Sequence, residues 1–234
     1  MTTSSPTKTA LIIGASRGLG YAMAEEYLKR GWRVIGTARG TDTPLHHLAS
    51  RSQGDVEIEM LDINLPDQVA ALRARLADKT LDLLFVNAGT ANAHPNQTLA
   101  EVSTDEFVRV MTTNALSPMR AVEALQDLVP STGVIGVMSS GQGSVANNTQ
   151  GLRELYRGSK AALNTFMRSF AARHADGPRA MVLIAPGWVR TDLGGPDAPL
   201  TIEDSIPGVV DVLLGVAGAA GLQYLDYRGR TVPW

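Results

Sequence analysis

The chain has no cysteine, almost no net charge and no long hydrophobic run. Without cysteine it can form neither disulfide bonds nor thiolate metal sites, which is compatible with a reducing compartment. Its 21 lysines and arginines nearly balance 23 aspartates and glutamates, so the net charge of −2 gives no indication of a nucleic-acid partner. The four histidines, His46, His47, His94 and His174, lack metal-ligand spacing, and we expect no metal.

The longest apolar stretch, GVVDVLLGVAGAAGL at 208–222, contains Asp211 and many glycines and alanines. These residues predict a packed helix that runs into a strand, and not a membrane span. The opening MTTSSPTK lacks the charged and then apolar form of a signal peptide. We therefore expect a cytoplasmic protein without membrane contact, in which residues 1–7 are flexible.

Short apolar runs alternate with helical patterns along the chain. The runs occupy 10–14, 33–38, 56–61, 81–87, 133–139 and 180–185, and the helical patterns occupy 18–30, 66–79, 102–129 and 155–175. Several runs are apolar at consecutive positions, as strands buried on both faces must be. The alternation predicts a single α/β domain over 1–234, with a parallel sheet covered by helices on both faces.

A glycine-rich loop, GASRGLG, follows the first predicted strand. Gly14, Gly18 and Gly20 would allow a tight turn and let a pyrophosphate approach the backbone at the N-terminus of the next helix. The spacing differs from the common G-x-G-x-x-G pattern, and a glycine-rich turn without a ligand is the alternative.

The end of the second predicted strand bears on the choice between NAD and NADP. An acidic residue usually lies there in NAD-selecting sites, whereas this chain has Ala38 followed by Arg39. Arg17, in the glycine loop, is a second nearby cation. The two arginines favour NADP(H) over NAD(H), since a guanidinium pairs well with a 2′-phosphate. Each arginine taken separately is equally compatible with a solvated surface charge.

Polar residues after the third and fourth predicted strands have two interpretations each. Asp62 would bond an adenine amino group, or Asp62 or Asn64 would cap the next helix. Asn87, in the NAG stretch 87–89, would border an adenosine ribose or bond backbone groups across neighbouring loops.

Asn114 lies within a helical pattern, four residues before Pro118. Because proline has no N–H, the Asn114 carbonyl loses its usual donor and would hold a water, unless Asn114 is only a capped surface residue at a kink. Ser139 and Ser140 end the fifth predicted strand, where serine is also common in turns.

Tyr156 and Lys160 lie one helical turn apart and share a face. A free phenol titrates near ~10, too high for efficient proton transfer at neutral pH, and a nearby ammonium lowers that pKa. The pair therefore predicts a tyrosine that donates a proton to a carbonyl oxygen, with a serine hydroxyl holding the oxygen. A tyrosine and a lysine at this spacing also occur together by chance.

The motifs GASRGLG, NAG, Asn114, SS, YRGSK and PGWVRTD occur in an order that resembles the single-domain short-chain dehydrogenases/reductases. SSGQGSVANNT, YRGSKAALN and DYRGRTVPW resemble most closely the sniffer-like carbonyl reductases and the bacterial C-factor proteins. The resemblance implies a Rossmann-like doubly wound sheet of about seven strands. It also implies Tyr156 as acid/base, Lys160 as its modulator and Asn114 as the holder of a relay water.

Two sets of residues follow from the motifs and the resemblance together. The catalytic set is Ser140 (with Ser139 as the second choice), Tyr156, Lys160 and Asn114. The cofactor set is Gly14, Ser16, Arg17, Gly18, Leu19, Gly20, Arg39, Asp62, Ile63, Asn87, Ala88, Gly89, Tyr156, Lys160, Pro186, Gly187, Val189 and Thr191. The chain departs from the family pattern at Ile13, where a threonine is usual, and in a longer gap between Ser140 and Tyr156.

These features predict an NADP(H)-dependent oxidoreductase, of carbonyl reductase type, that transfers a hydride between nicotinamide and a small carbonyl or secondary alcohol. The alternative is an NADP-binding signalling or scaffold protein with little turnover. An epimerase or dehydratase would normally need a larger substrate domain than the segment 194–205, which we expect to form a substrate lid. With Trp188 and the loop 141–154, that segment predicts a fairly apolar pocket. We also expect a homodimer or homotetramer.

Overall fold

The computed structural model of this chain describes residues 7–234, so the expectation for residues 1–7 falls almost wholly outside the described part. Seven strands form one sheet. They are β1 (Thr9–Ile13), β2 (Arg33–Ala38), β3 (Val56–Met60), β4 (Leu83–Val86), β5 (Val134–Met138), β6 (Ala180–Ala185) and β7 (Gly221–Asp226). Each of the six runs predicted from apolar sequence contains one of these strands or overlaps it closely.

The helices lie between the strands. They are α1 (Gly18–Lys29), α2 (Pro44–Arg51), α3 (Pro66–Arg75), α4 (Thr104–Met111), α5 (Ser117–Leu125), α6 (Glu154–Arg173) and α7 (Ile202–Gly215). The helix α2, which begins at a proline, was missed by the sequence reading. The stretch predicted as one helix over 102–129 is instead α4 and α5, joined by a π turn over 112–116. The stretch 208–222 runs from α7 towards β7, as predicted.

The strands are all parallel and follow the order β3-β2-β1-β4-β5-β6-β7. The chain starts in the middle of the sheet, winds outwards through β2 and β3, and then returns to β4 on the other side of β1. This is the expected doubly wound sheet of about seven strands, and it is confirmed. In such sheets the ligand crevice lies at the carboxyl ends of the strands where the order reverses, here between β1 and β4.

The alternation of side chains along the strands divides the core into two layers. In β1, Leu11 and Ile13 face a layer with residues of α3, α5 and α6, whereas Ala10 and Ile12 face a layer with α1, α2 and α7. Both faces of the sheet are therefore covered, which explains the consecutive apolar residues. No helix within residues 7–234 is long and apolar enough to cross a membrane.

A glycine in β5 allows the close approach of two buried side chains. A Cβ atom added at Gly136 would lie 2.6 Å from Cδ2 of Phe85 and 3.2 Å from Cδ2 of Leu213. Phe85 is fully buried, so its ring has little room to move.

We therefore expect Gly136→Ala to lower the free energy of unfolding by about 1–3 kcal/mol, because overpacking forces neighbours from their rotamers. The matched control is Gly158→Ala, at an exposed position of α6 where an added Cβ meets nothing within 4 Å. There the same change should stabilise the helix by up to about 1 kcal/mol. Urea unfolding of both variants measures this. A Gly136→Ala protein as stable as the parent would contradict the packing argument.

Candidate active site

A cavity of about 800 Å³ opens at the carboxyl ends of the strands, where the loops after β1 to β6 converge. It is lined by every residue of the predicted cofactor set except Gly20. Ser139 and Ser140, from the predicted catalytic positions, also line it, whereas Asn114 lies behind its wall. The fold therefore brings most of the predicted site residues to one cavity, although their loops are far apart along the chain.

The floor of the cavity depends on the carbonyl oxygen of Gly14. Asn87 Nδ2 donates a 2.8 Å hydrogen bond to this oxygen, and this is the backbone contact between loops that the sequence suggested for Asn87. A Cβ atom on Gly20 would lie 2.0 Å from the same oxygen. Gly20 thus has a packing role beneath the loop, which explains why it does not border the cavity.

The first turn of α1 has the properties of an anion site. Its N-cap residue, Arg17, makes no side-chain capping bond, and the turn contains no acidic residue. Gly18 has a φ of +57°, and a Cβ there would meet nothing within 4 Å, so the backbone faces open space. Unpaired N–H groups and the helix dipole favour a negatively charged group at such a place. The loop therefore fits a dinucleotide pyrophosphate.

Thr37 supplies a hydroxyl that supports the glycine loop, although position 13 holds Ile. Its Oγ1 accepts a 2.9 Å hydrogen bond from the Gly14 N–H, and its carbonyl accepts one of 3.0 Å from the Ala15 N–H. The Thr37 side chain is 2% exposed. Ile13 meanwhile packs in the core layer of α3, α5 and α6. Sequence reading missed Thr37 because it lies 23 positions from Gly14 along the chain.

The two arginines predicted to select the cofactor differ in their surroundings. Arg39 is exposed at the end of β2, beside the buried Ala38, and both border the cavity. Arg17 Nη1 lies 2.5 Å from Oδ2 of Asp192, on the opposite rim. Arg17 is therefore already paired, and contact with a 2′-phosphate would have to compete with Asp192.

Asp62 forms a local turn, since its Oδ1 accepts a 2.9 Å bond from the Asn64 N–H. Neither residue caps α3, whose N-cap is Leu65 without a side-chain bond, so the capping alternative is wrong. Asn64 instead accepts from Ser117 Oγ and donates to Thr113 Oγ1, at 2.8 and 3.0 Å. Asp62 and Ile63 remain at the cavity wall.

Asn114 lies in the π turn and is fully buried, so the alternative of a capped surface residue is wrong. Its side chain accepts from the Thr90 N–H at 2.8 Å and donates to the Thr90 carbonyl at 2.8 Å. Its Nδ2 also donates to Ser159 Oγ at 2.9 Å, which in turn donates to the Tyr156 carbonyl. Asn114 thereby ties the loop after β4 to the helix that carries Tyr156.

The two serines after β5 face different partners. Ser139 is buried, and its Oγ donates to Oδ1 of Asn164 at 2.6 Å. Ser140 Oγ accepts from the Gln142 N–H at 3.1 Å, and the Ser140 hydroxyl acts to lower the pKa of the Tyr156 phenol. The geometry therefore favours Ser140 over Ser139 as the hydroxyl that works with Tyr156.

Tyr156 and Lys160 both point from α6 into the buried side of the cavity. Burial raises the pKa of the Tyr156 phenol, while the Ser140 hydroxyl and the Arg153 guanidinium act to lower it and Tyr224 adds to the increase. Lys160 Nζ donates to the Met138 carbonyl at 2.9 Å, and burial lowers the pKa of Lys160 to about 8.

The expectation that Lys160 lowers the pKa of Tyr156 is not met in this structure. The Lys160 ammonium is directed at the Met138 carbonyl at the end of β5, and desolvation lowers its own pKa to about 8. The groups that lower the Tyr156 pKa are Ser140 and Arg153. Arg153 was not singled out by the sequence.

The segment after β6 forms the far rim of the cavity. Pro186, Gly187, Val189 and Thr191 line it, as predicted. Gly187 has a φ of +87°, and a Cβ there would lie 2.5 Å from Cδ1 of Leu200. Of the segment 194–205, for which a lid was expected, residues 202–205 belong to α7, which Thr201 caps with Asp204.

The wall of the cavity is more apolar than polar, in keeping with the expected fairly apolar pocket. Trp188, Leu193 and Val232 do contribute apolar surface. The cavity is also lined by polar and charged residues that sequence reading missed: Arg109, Gln142, Asn147, Arg153 and Arg230. Their signal is spatial: three of them follow β5, Arg109 lies on α4 and Arg230 follows β7, and only the fold brings these segments together. Within the described part of the chain there is no group of three or more acidic or histidine side chains that could hold a metal.

Residues 8–199 match the sequence profile of the short chain dehydrogenase family. The match spans most of the chain, and the protein therefore belongs to that family, whose members are oxidoreductases. A curated relative is the C-signal of Myxococcus xanthus, which is 36% identical over 156 residues, covering 66% of this chain and 93% of the relative.

Solved structures extend the likeness to the whole fold. A chain from Burkholderia multivorans with bound NADP, described as a short-chain dehydrogenase/reductase, is 67% identical with a TM-score of 0.97, covering 98% of this chain and 100% of that one. A carbonyl reductase from Pseudomonas aeruginosa in complex with NADP is 35% identical with a TM-score of 0.89, covering 97% and 100%. The resemblance to this family that the sequence motifs indicated is thus confirmed.

Replacing Thr37 tests the support of the glycine loop. Thr37→Val keeps the shape and leaves the Gly14 N–H without its 2.9 Å partner. We expect a loss of about 1–3 kcal/mol in the free energy of unfolding, because a buried donor is left unsatisfied, together with weaker NADPH binding. Thr37→Ser retains the hydroxyl and is the control. Equal behaviour of the two variants in urea unfolding and fluorescence titration would show that the hydroxyl does not support the loop.

Proposed function

We propose that the protein is an NADP(H)-dependent oxidoreductase of carbonyl reductase type, which interconverts a small carbonyl compound and the corresponding secondary or primary alcohol. The observation that carries this proposal is the meeting of Ser140 and Tyr156 on the wall of one cavity with the anion-binding loop of α1. The similar chains with bound NADP support the choice of cofactor.

When bound, the nicotinamide ring supplies or accepts the hydride. Tyr156 donates a proton to the carbonyl oxygen as it becomes an alkoxide, and takes one back in the reverse direction. The Ser140 hydroxyl holds the same oxygen and stabilises the charge that develops there. Pro186, Gly187, Val189 and Thr191 line the cavity and would border the ring. Tyr156 is only 8% exposed, which keeps water away from the phenol.

The burial of Lys160 has a cost in stability. Its pKa falls from an ordinary 10.5 to about 8, so the unfolded chain binds more protons than the folded one between these values, and stability should rise with pH through that window. Below it, the buried ammonium is a charge whose burial opposes folding. A titratable group with a strongly shifted pKa is typical of functional sites. We assign two roles to Lys160: binding the ribose of the cofactor and transferring protons with Tyr156.

Asn114 completes the set as a positioning residue. Through Ser159 it is bonded to the carbonyl of Tyr156, and through Thr90 to the loop after β4. A Cβ on Gly89 would lie 3.4 Å from Oδ1 of Asn114 and 3.5 Å from Nζ of Lys160, so these groups surround one small space. We propose that a relay water there connects Lys160 with Asn114.

A second candidate function is an NADP-binding signal protein with little turnover. It is favoured by the likeness to a protein named C-signal. A protein that only binds the cofactor has no need of Ser140 and Tyr156 together with Lys160. NADPH oxidation with a panel of aldehydes, ketones and quinones separates the two candidates. A homodimer or homotetramer remains a prediction, which sedimentation would test.

Tyr156→Phe is the test of the mechanism. The change keeps the ring and removes the proton donor, so we expect turnover to fall by about 10²–10⁴-fold while NADPH binding is retained. The control is Tyr21→Phe, in which the lost hydroxyl is bonded to Glu25 on the surface of α1. Retention of more than a tenth of the parent turnover by Tyr156→Phe would refute the assigned role.

The choice between the two cofactors is tested by Ala38→Asp/Arg39→Ala. The double change removes an attraction to the 2′-phosphate and adds a repulsion. A charge-assisted contact contributes about 1.5–3 kcal/mol, and Arg17 is partly engaged by Asp192, so we expect NADPH affinity to fall by tenfold or more while NADH affinity holds or rises. Direct titration of both cofactors at low salt measures this, alongside kcat/KM.

Arg33→Ala provides the matched control for the double change. Arg33 begins the same strand at its other end and pairs at 3.8 Å with Asp55. Arg33→Ala removes a positive charge, as Arg39→Ala does, without changing a residue of the cavity. An NADPH-to-NADH ratio that is unmoved by the double change, or that moves equally with Arg33→Ala, would mean that Arg39 is only a surface charge.

A further inference from the structure

Arg153 has an unusual backbone conformation at the start of the helix that carries Tyr156. It is the N-cap residue of α6, with φ +62° and ψ +42°. Within residues 7–234, only Gln53 among the other residues with a side chain has a positive φ. A bulky residue in the left-handed region is strained, and glycine or asparagine would be the easier choice. Strain of this kind is typical of functional positions.

The conformation places the guanidinium of Arg153 against Tyr156. Its Cζ lies 5.8 Å from the centroid of the phenol ring, and the side chain is half-buried at the cavity wall. Its positive charge is one of the influences on Tyr156. A ligand held by the Tyr156 hydroxyl would therefore lie within reach of this cation.

The other cavity arginines, Arg39 excepted, already have carboxylate partners. The pairs are Arg17 with Asp192 at 2.5 Å, Arg109 with Glu106 at 2.7 Å, and Arg230 with Asp226 at 2.7 Å. Arg39 is assigned above to the cofactor. Arg153 has no carboxylate within 4.0 Å and no side-chain hydrogen bond in the described part of the chain. A half-buried guanidinium has five donors to satisfy, and a carboxylate matches their geometry.

A second polar group in the same wall also has no partner. The Oε1 atom of Gln142 is buried and accepts no hydrogen bond from residues 7–234. Gln142 follows Ser140 by two positions and borders the cavity. Buried acceptors are normally satisfied, so this atom points to a ligand that carries a donor of its own.

We propose that Arg153 determines substrate specificity by binding an anionic group, a carboxylate in the first instance, on the carbonyl compound that Tyr156 protonates. This inference rests on the proposed oxidoreductase function and adds the chemical class of the substrate. The guanidinium of Arg153 replaces part of the water around the anionic group of the substrate. Gln142 Oε1 accepts a hydrogen bond from a hydroxyl or amide of the substrate near that group.

The experiment compares acid and ester forms of the same carbonyl compound. Two pairs are used, para-carboxybenzaldehyde with its methyl ester and phenylglyoxylate with its methyl ester, so that two spacings between carbonyl and carboxylate are sampled. NADPH oxidation gives kcat/KM for each. We expect the parent protein to prefer the acid in at least one pair, by about tenfold to a hundredfold, which is the range for one charge-assisted contact.

The variants separate charge from structure. Arg153→Asn removes the cation and suits the left-handed conformation, so it should fold and should abolish the acid preference. Arg153→Lys keeps the charge and should retain part of it. The matched control is Arg157→Gln, one turn further along α6, where the guanidinium donates to the Leu152 carbonyl. It removes the same charge and should leave the ratio of acid to ester unchanged.

Binding of benzoate and methyl benzoate to the NADP-loaded protein, followed by calorimetry, gives a readout without turnover. We expect benzoate binding that Arg153→Asn abolishes. If the carbonyls are turned over but Arg153→Asn does not alter the acid-to-ester ratio, this inference is overturned and the proposed function stands. Turnover without an acid preference in either pair has the same consequence. Benzoate binding that depends on Arg153, without turnover of any carbonyl, would overturn the proposed function and leave the anion site standing.

Discussion

The carbonyl oxygen of Gly14 is the point on which the site depends, because three elements meet at it. It accepts from Asn87 after β4, it lies against Gly20 of α1, and it ends the strand at the centre of the sheet. A side chain at Gly20 would push α1 away from the sheet, and the helix N-terminus would no longer face the cavity. The first N–H groups of α1 have no partners within the helix, as at any helix N-terminus, and the close packing aims them at the cavity. The anion site is therefore a consequence of how closely the helix packs on β1 and β4, and the helix could not pack as closely without glycine.

Burial has opposite effects on the two titratable groups of α6. It raises the pKa of Tyr156 and lowers that of Lys160, so both groups favour their neutral forms. A neutral phenol is the form that donates a proton, and a lysine with a pKa of about 8 can release or accept one near neutral pH. Burial therefore moves the two pKa values apart and makes Lys160 the stronger acid of the pair, which does not describe a phenolate stabilised by an ammonium. The cation that acts on the phenol electrostatically is Arg153, at the beginning of the same helix.

The sequence was sufficient for the sheet and for most of the cavity, because both depend on local signals. Strands buried on both faces must be apolar at every position, and glycine loops and the Tyr156–Lys160 spacing are short patterns. It failed where the signal is not local. The helix α2 is short and polar, with few apolar residues to mark it. The bond from Gly14 to Thr37 and the pair of Arg17 with Asp192 join residues that only the fold brings together. Arg153 is marked by its φ angle and by its lack of a partner, and neither can be read from residue types.

The cavity combines a fixed floor with a rim that can open. The bonds of Gly14 with Asn87 and with Thr37 are partly buried and join neutral groups, so each would leave a poorly satisfied group if it broke. The Arg17–Asp192 pair across the rim has side chains that are 70% and 76% exposed, and an ion pair in water contributes at most about 1 kcal/mol. A large dinucleotide can therefore separate the two sides of the rim at little cost without disturbing the floor. The difference follows from solvent access, since the exposed pair is the shorter contact, at 2.5 Å against 2.8 and 2.9 Å in the floor.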